Sequence, residues 1–217
     1  MKILQYLFIS LSHKILKLLP YTSIRILSVP IGTLYFLLTF RSSIKLFKRK
    51  EIFNELKINY KPLIVKINYT RYWLETLWLT NKNFSKYISP HVEIENLEYV
   101  EKLKKQYPGL IFALPHLGNW EFAIPVGNSI KLNLLAVAEP LNNSYVLNWF
   151  KSLRESLGIE IIIGGKGQNT FDLLVNKLKS GKDICLLSER SIKKSGVATK
   201  FFGQLAAFPK GPVALSL

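Results

Sequence analysis

The sequence predicts an α/β fold: a largely parallel central sheet flanked by helices, preceded by a basic, apolar, helical segment that associates with membrane. Three observations carry this. Four short apolar runs, LIFAL (110–114), LNLLAVA (132–138), IEIIIG (159–164) and DICLLSE (183–189), have the length and composition of buried strands. Between them NWEFAIPVGNSI, SYVLNWFKSLRESLG and NTFDLLVNKLKSG read as helices, the second and third ending at Gly158 and Gly181. Strands alternating with helices at this spacing build parallel sheets. Finally, residues 1–50 hold nine Lys/Arg and no Asp or Glu, yet are strongly apolar.

Taken in order, Leu4, Leu7, Phe8, Leu11, Ile15 and Leu18 recur at helical spacing, with Ser10, Ser12, Lys14 and Lys17 between them. Residues 26–40 then run fifteen positions without a charge, broken by Pro30 and Gly32. A spanning helix needs about 20 apolar residues, so the segment is expected to lie in the interface or dip into it, with its Lys/Arg on anionic lipid. A pair of core helices with a basic outer face is the plainer alternative. No small-residue cleavage site marks a signal peptide. Residues 41–61 are highly charged and predict an exposed helix and connector. Residues 63–80 place Trp73, Leu74, Leu77 and Trp78 near helical spacing, which favours a core helix. The last residues, FPKGPVALSL, predict a turn at Pro209 and a helix starting at Gly211–Pro212, and hence a fold that continues past Leu217. The expected division is 1–60, membrane-associating helices, and 61–217, an α/β domain truncated at its C-terminus.

The 217 residues suffice for one sizeable core, and 48% hydrophobic content excludes a disordered chain. Thirty Lys+Arg against fourteen Asp+Glu give a net charge of +16 and a preference for anionic partners. Because the basic residues accompany apolar ones rather than a base-stacking surface, lipid is expected and nucleic acid is not. The single cysteine, Cys185, forms no internal disulfide and reads as core filler in a cytoplasmic setting.

There is no G-x-S-x-G elbow, no H-E-x-x-H and no Cys/His cluster, which argues against the common hydrolase and zinc chemistries. GGKGQNT (164–170) lacks Walker spacing; its backbone and Lys166 either take an anion or form an ordinary loop. His116 in PHLGNWE stands directly after a predicted strand, with Glu121 five residues on. On a helix the two would point about 140° apart, but Gly118 and Asn119 permit a turn from strand to helix in which they can pair. The carboxylate would then orient the imidazole, whose free nitrogen takes a proton from a hydroxyl; a structural loop histidine is the other reading. Glu139 and Glu189–Arg190 also fall at predicted strand ends, where ligands bind in open parallel sheets. Arg154 either reaches that rim or is a solvated helix charge.

HLGNWE, AEPLNNSYVLNWFKSLRESLGIEI and SERSIKKSGVATKFFGQLAAFPKGPVAL together resemble the bacterial lipid A biosynthesis acyltransferase family, and within it the phosphatidylinositol mannoside branch. The resemblance runs from about residue 60 onward, and the basic apolar start also fits. It implies an enzyme at the cytoplasmic face of the inner membrane that moves a fatty acyl group from acyl-CoA or acyl-carrier protein to a glycolipid hydroxyl. His116 matches the general base and Glu121 its orienting acid, while Glu139, Arg154 and Glu189 match positions lining the groove. Asn119 and Arg190 complete the expected substrate-binding set. The thioester is already activated, so neither metal nor other cofactor is expected. Ser191 stands where many relatives carry a carboxylate, which bears on acceptor recognition. A glycerolipid (lysophospholipid-type) acyltransferase and a non-catalytic basic membrane-binding protein are the alternatives.

Overall fold

The structure is a computed structural model that describes residues 1–40, 61–165, 169–189 and 196–217. The charged helix and connector expected at 41–61 lies almost wholly outside them, as do Lys166, Arg190 and Ser191. Two compact units divide the chain: Met1–Ser10 with Thr80–Leu217, and Leu11–Leu79.

The first nine residues of α1 (Lys2–Leu16) belong to the larger unit, and the smaller one takes up its last turns from Leu11, together with α2 (Tyr21–Leu38) and α3 (Pro62–Trp78). Helices α2 and α3 pack along one another. Ile24, Ser28 and Gly32 form a buried stripe on α2 at four-residue spacing. The opposite side of α2 exposes Ile26, Val29, Leu34 and Leu37. By length and composition alone α2 is able to cross a membrane. Trp78 is fully buried, and its indole N–H donates to the Leu19 carbonyl at 2.9 Å. Buried Glu75 accepts from the Tyr21 hydroxyl at 2.8 Å, so its polar atoms are not left unsatisfied.

The larger unit holds α4 (Leu97–Gln106), β1 (Ile111–Leu114), α5 (Ala123–Ser129), β2 (Leu134–Ala138), α6 (Ser144–Leu157), β3 (Glu160–Ile163), α7 (Thr170–Lys179) and β4 (Asp183–Leu187). A hairpin of β5 (Val197–Phe201) and β6 (Gln204–Phe208) and a last helix, α8 (Gly211–Ser216), follow. All four expected strands form one sheet of order β1-β4-β2-β3, with every pair parallel. The chain steps β1→β2→β3 in one direction and then returns to β4. Right-handed crossovers therefore put α5 and α6 on one face and α7 on the other. On the α7 face, Leu135 and Ile184 pack with Leu174 of α7 and Leu215 of α8. Strand alternation turns Leu134 the opposite way, against Gly127 of α5.

Local chemistry sets the ends of these elements. The Asn143 side chain accepts the Tyr145 and Val146 N–H groups and so caps α6. Gly158 ends α6 at φ +103, a left-handed position. A Cβ there would also land 2.4 Å from the Asn128 amide nitrogen, which donates to the Leu157 carbonyl.

One buried carboxylate aligns the starts of three strands. Asp183, fully buried, accepts the Leu110 N–H at 2.9 Å and the Asn133 N–H at 2.8 Å. It also accepts the Lys104 ammonium at 2.9 and 3.1 Å.

The sequence reading assigned no strand to the β5–β6 hairpin. Its two-residue turn, Phe202–Gly203, has both residues at positive φ, the geometry that matches strand twist.

Candidate active site

The register of β1 and β4 decides what meets at the carboxyl edge of the sheet. Leu114 pairs with Leu187, and the Ser188 N–H donates to the Leu114 carbonyl at 2.8 Å. Two residues beyond each end of that register stand His116 and Glu189. Parallel pairing continued past the strands therefore sets the two side by side. The Glu189 carboxylate accepts the His116 backbone N–H at 3.3 Å with one oxygen and meets the ring Nδ1 with the other. An ionised carboxylate only accepts, so Nδ1 carries the hydrogen, and in the neutral imidazole Nε2 presents its lone pair. Trp120 meets the imidazole edge-to-face, with ring centroids 4.6 Å apart.

Burial alone would raise the Glu189 carboxyl. The backbone N–H of Glu189 itself and the ring and backbone N–H of His116 outweigh it, and the group is held below the usual carboxylate range.

The chain then turns. The Leu117 N–H bonds back to the Pro115 carbonyl at 2.8 Å, Gly118 takes φ +61, and the Asn119 side chain accepts the Glu121 N–H at 3.1 Å. This is the strand-to-helix turn that Gly118 and Asn119 predict, but it does not deliver Glu121 to His116. Glu121 lies in a 3-10 turn, Trp120–Phe122, and is 1% exposed. Its carboxylate receives Arg154 of α6 in a fork, at 3.1 and 3.2 Å from Nε and 2.6 Å from Nη2. The Phe150 ring, one helical turn back, lies 5.7 Å from the guanidinium carbon. The imidazole is thus held by Glu189 rather than by Glu121, the carboxylate suggested by the spacing. Five positions along the chain proved less decisive than strand register, which brings together residues 73 apart.

The geometry is that of an oriented imidazole at the carboxyl edge of a parallel sheet, on a turn whose buried Glu121 carboxylate is paired with Arg154. A family model described as "Bacterial lipid A biosynthesis acyltransferase" matches residues 2–217.

The chain belongs to the bacterial lipid A biosynthesis acyltransferase family.

Among curated relatives, it is 30% identical over 154 residues to the phosphatidylinositol mannoside acyltransferase of Mycolicibacterium smegmatis, covering 69% of this chain and 49% of that protein. It is 31% identical over 153 residues to the phosphatidylinositol mannoside acyltransferases of two Mycobacterium tuberculosis strains, CDC 1551 and H37Rv, covering 69% of this chain and 48% of theirs. The chain spans about half the length of the curated relatives it matches.

The remaining expected site residues of this family member divide as follows. Glu139 follows β2 directly, at the same edge as His116, and is exposed. Asn119 shapes the turn, and Arg190 lies outside the described residues. Among the described residues, no three His, Cys, Asp or Glu side chains are grouped to hold a metal ion. The Cys185 thiol is pushed up to about 11, by burial first and then by the Asp183 charge, which suits a packing residue and not a nucleophile. The sequence reading singled out Glu189 as lining the groove but not as the partner of His116. It assigned no role to Asp183 or Lys104, and the only signal for Asp183 was a carboxylate opening an apolar run.

Proposed function

We propose that this protein transfers a fatty acyl group from a thioester, acyl-CoA or acyl-carrier protein, to a hydroxyl of a membrane glycolipid of the phosphatidylinositol mannoside or lipid A type. It would act at the cytoplasmic face of the inner membrane. The observation that carries this reading is His116 with Nδ1 engaged by Glu189 and Nε2 open for a proton. The family membership and the mannoside-acylating relatives support it.

In the proposed step, Nε2 of His116 takes the proton of the acceptor hydroxyl as its oxygen attacks the thioester carbonyl. The imidazolium so formed is stabilised by the adjoining Glu189 carboxylate. The tetrahedral intermediate collapses by breaking the carbon–sulfur bond, and the departing sulfur recovers the proton from Nε2. An ester and a free thiol result, and the histidine returns to its starting state. Glu139, exposed at the same edge, is placed to accept hydrogen bonds from sugar hydroxyls. The Glu121–Arg154 pair positions the turn that carries the base. The thioester is itself activated, so this scheme calls for no metal and no covalent enzyme intermediate.

The test is mass spectrometry of glycolipids from membranes with and without the protein, with mannosylated, lipid A-type and lysophosphatidate acceptors supplied in parallel. A new acylated glycolipid that disappears with His116→Ala is the expected result. Full activity of the His116→Ala protein, or transfer to lysophosphatidate alone, overturns the proposal.

A further inference from the structure

The first ten residues belong to the same compact unit as the sheet, and one side chain fixes where they lie. The Asn143 amide nitrogen donates to the Lys2 carbonyl and to the Gln5 side-chain oxygen, both at 2.9 Å, while its oxygen caps α6. Tyr6 also meets Tyr145, with ring centroids 6.1 Å apart. Helix α6 follows β2, so its first residues stand at the carboxyl edge of the sheet, where His116 and Glu189 lie. The start of α1 is therefore fastened along the rim of the active site.

The two sides of that start differ. Tyr6, Ile9 and Ser10 are partly covered, whereas Leu4, Leu7 and Phe8, grouped at three- and four-residue spacing on the other side, are 68%, 52% and 70% exposed. The rim itself continues the apolar surface. Leu117, next to the base, is 78% exposed, and Leu141, two residues past Glu139, is 47% exposed. Residues 1–40 carry Lys2, Lys14, Lys17 and Arg25 and no acidic residue. A segment that joins exposed aliphatic side chains to cations and no acid along the sequence suits a leaflet with anionic headgroups.

The geometry points to a lipid-inserting rim: Leu117, Leu141 and the Leu4–Leu7–Phe8 face of α1 enter one anionic leaflet together, so that His116 opens directly onto the headgroup layer. This rests on the acyl-transfer reading, whose acceptor is a membrane lipid, and assigns which edge of the catalytic unit meets it. An acceptor hydroxyl then reaches Nε2 without its lipid leaving the bilayer, and Asn143 is the positioning residue that ties the lipid-bound helix to the site.

The experiment uses the whole chain with Cys185→Ala and a single environment-sensitive fluorophore on Leu117→Cys, Leu141→Cys or Tyr107→Cys. Tyr107 is exposed and precedes β1, at the opposite edge of the sheet. Vesicles of phosphatidylcholine containing phosphatidylglycerol and a spin-labelled lipid are added. The expected result is a blue shift and quenching at 117 and 141, with neither at 107. A Leu141→Glu protein of unchanged circular dichroism binds these vesicles about tenfold or more weakly. Co-flotation with vesicles while 117 and 141 stay unquenched overturns the rim assignment alone. A shift without lipid that grows with protein concentration identifies a second copy as the occupant, and also overturns it. Acyl transfer to a detergent-dispersed glycolipid, measured in the same preparation, reports separately on the catalytic reading.

Discussion

At His116 the proposed chemistry depends on which ring nitrogen carries the hydrogen, and Glu189 decides that. Glu189→Gln keeps the shape but loses the charge that stabilises an imidazolium. Turnover is expected to fall about a hundredfold or more with little change in KM for the acceptor. Glu121→Gln should behave differently, because it removes the buried charge that the Arg154 fork engages. We expect a loss of about 3 kcal/mol in urea unfolding, with part of it recovered when Arg154→Met is added. A Glu121→Gln protein of undiminished stability would sink that assignment. The Glu189 carboxyl also gives a pH dependence. A depressed carboxyl contributes stability above the ordinary glutamate range, about 4.3, and that contribution is lost as pH falls through the lowered value. Acid should therefore destabilise the native protein more than Glu189→Gln, as read from urea midpoints taken at neutral and acid pH.

Among the elements, the four strands and the helices between them were legible because each is a continuous apolar run or a 3.6-residue pattern with its own cap or stop. Gly158, for instance, marks the end of α6 by sequence-local chemistry, whereas its Asn143 cap emerged only in the structure. Gly158→Ala should destabilise by more than about 1 kcal/mol, since φ +103 is left-handed and the methyl meets Asn128. A thermal scan showing no shift would contradict this. Strand order was not legible. No periodicity within DICLLSE says that it enters between β1 and β2, and so none says that Glu189 meets His116. The β5–β6 hairpin escaped for another reason: VATKF is exposed throughout and QLAAF half-buries only Ala206 and Phe208, so burial patterning has little to read there. Glu121 misled because its spacing from His116 is compatible with pairing, while its partner, Arg154, lies 33 residues away on α6.

For the whole molecule, composition reported the α/β character and the basic, apolar start. It gave no hint that the first ten residues join the sheet-bearing unit, because the contacts that mark this association, Asn143 with Lys2 and Gln5 and Tyr145 with Tyr6, join residues far apart in the sequence. The family resemblance was legible in contiguous stretches, HLGNWE above all, since short motifs survive as strings whereas strand register does not. The place of β4 has a last consequence, in time rather than in space. Leu110 is held by Asp183, which the ribosome makes 73 residues later. At about 5–20 residues per second, translation spends about 4–15 s on that interval. Through it β1 lacks its only sheet neighbour among the described strands, and the nascent chain carries a bare apolar strand. Soluble yield should then be governed by elongation rate: slow synonymous codons between 115 and 182 lower it, and the same number placed after 196 do not.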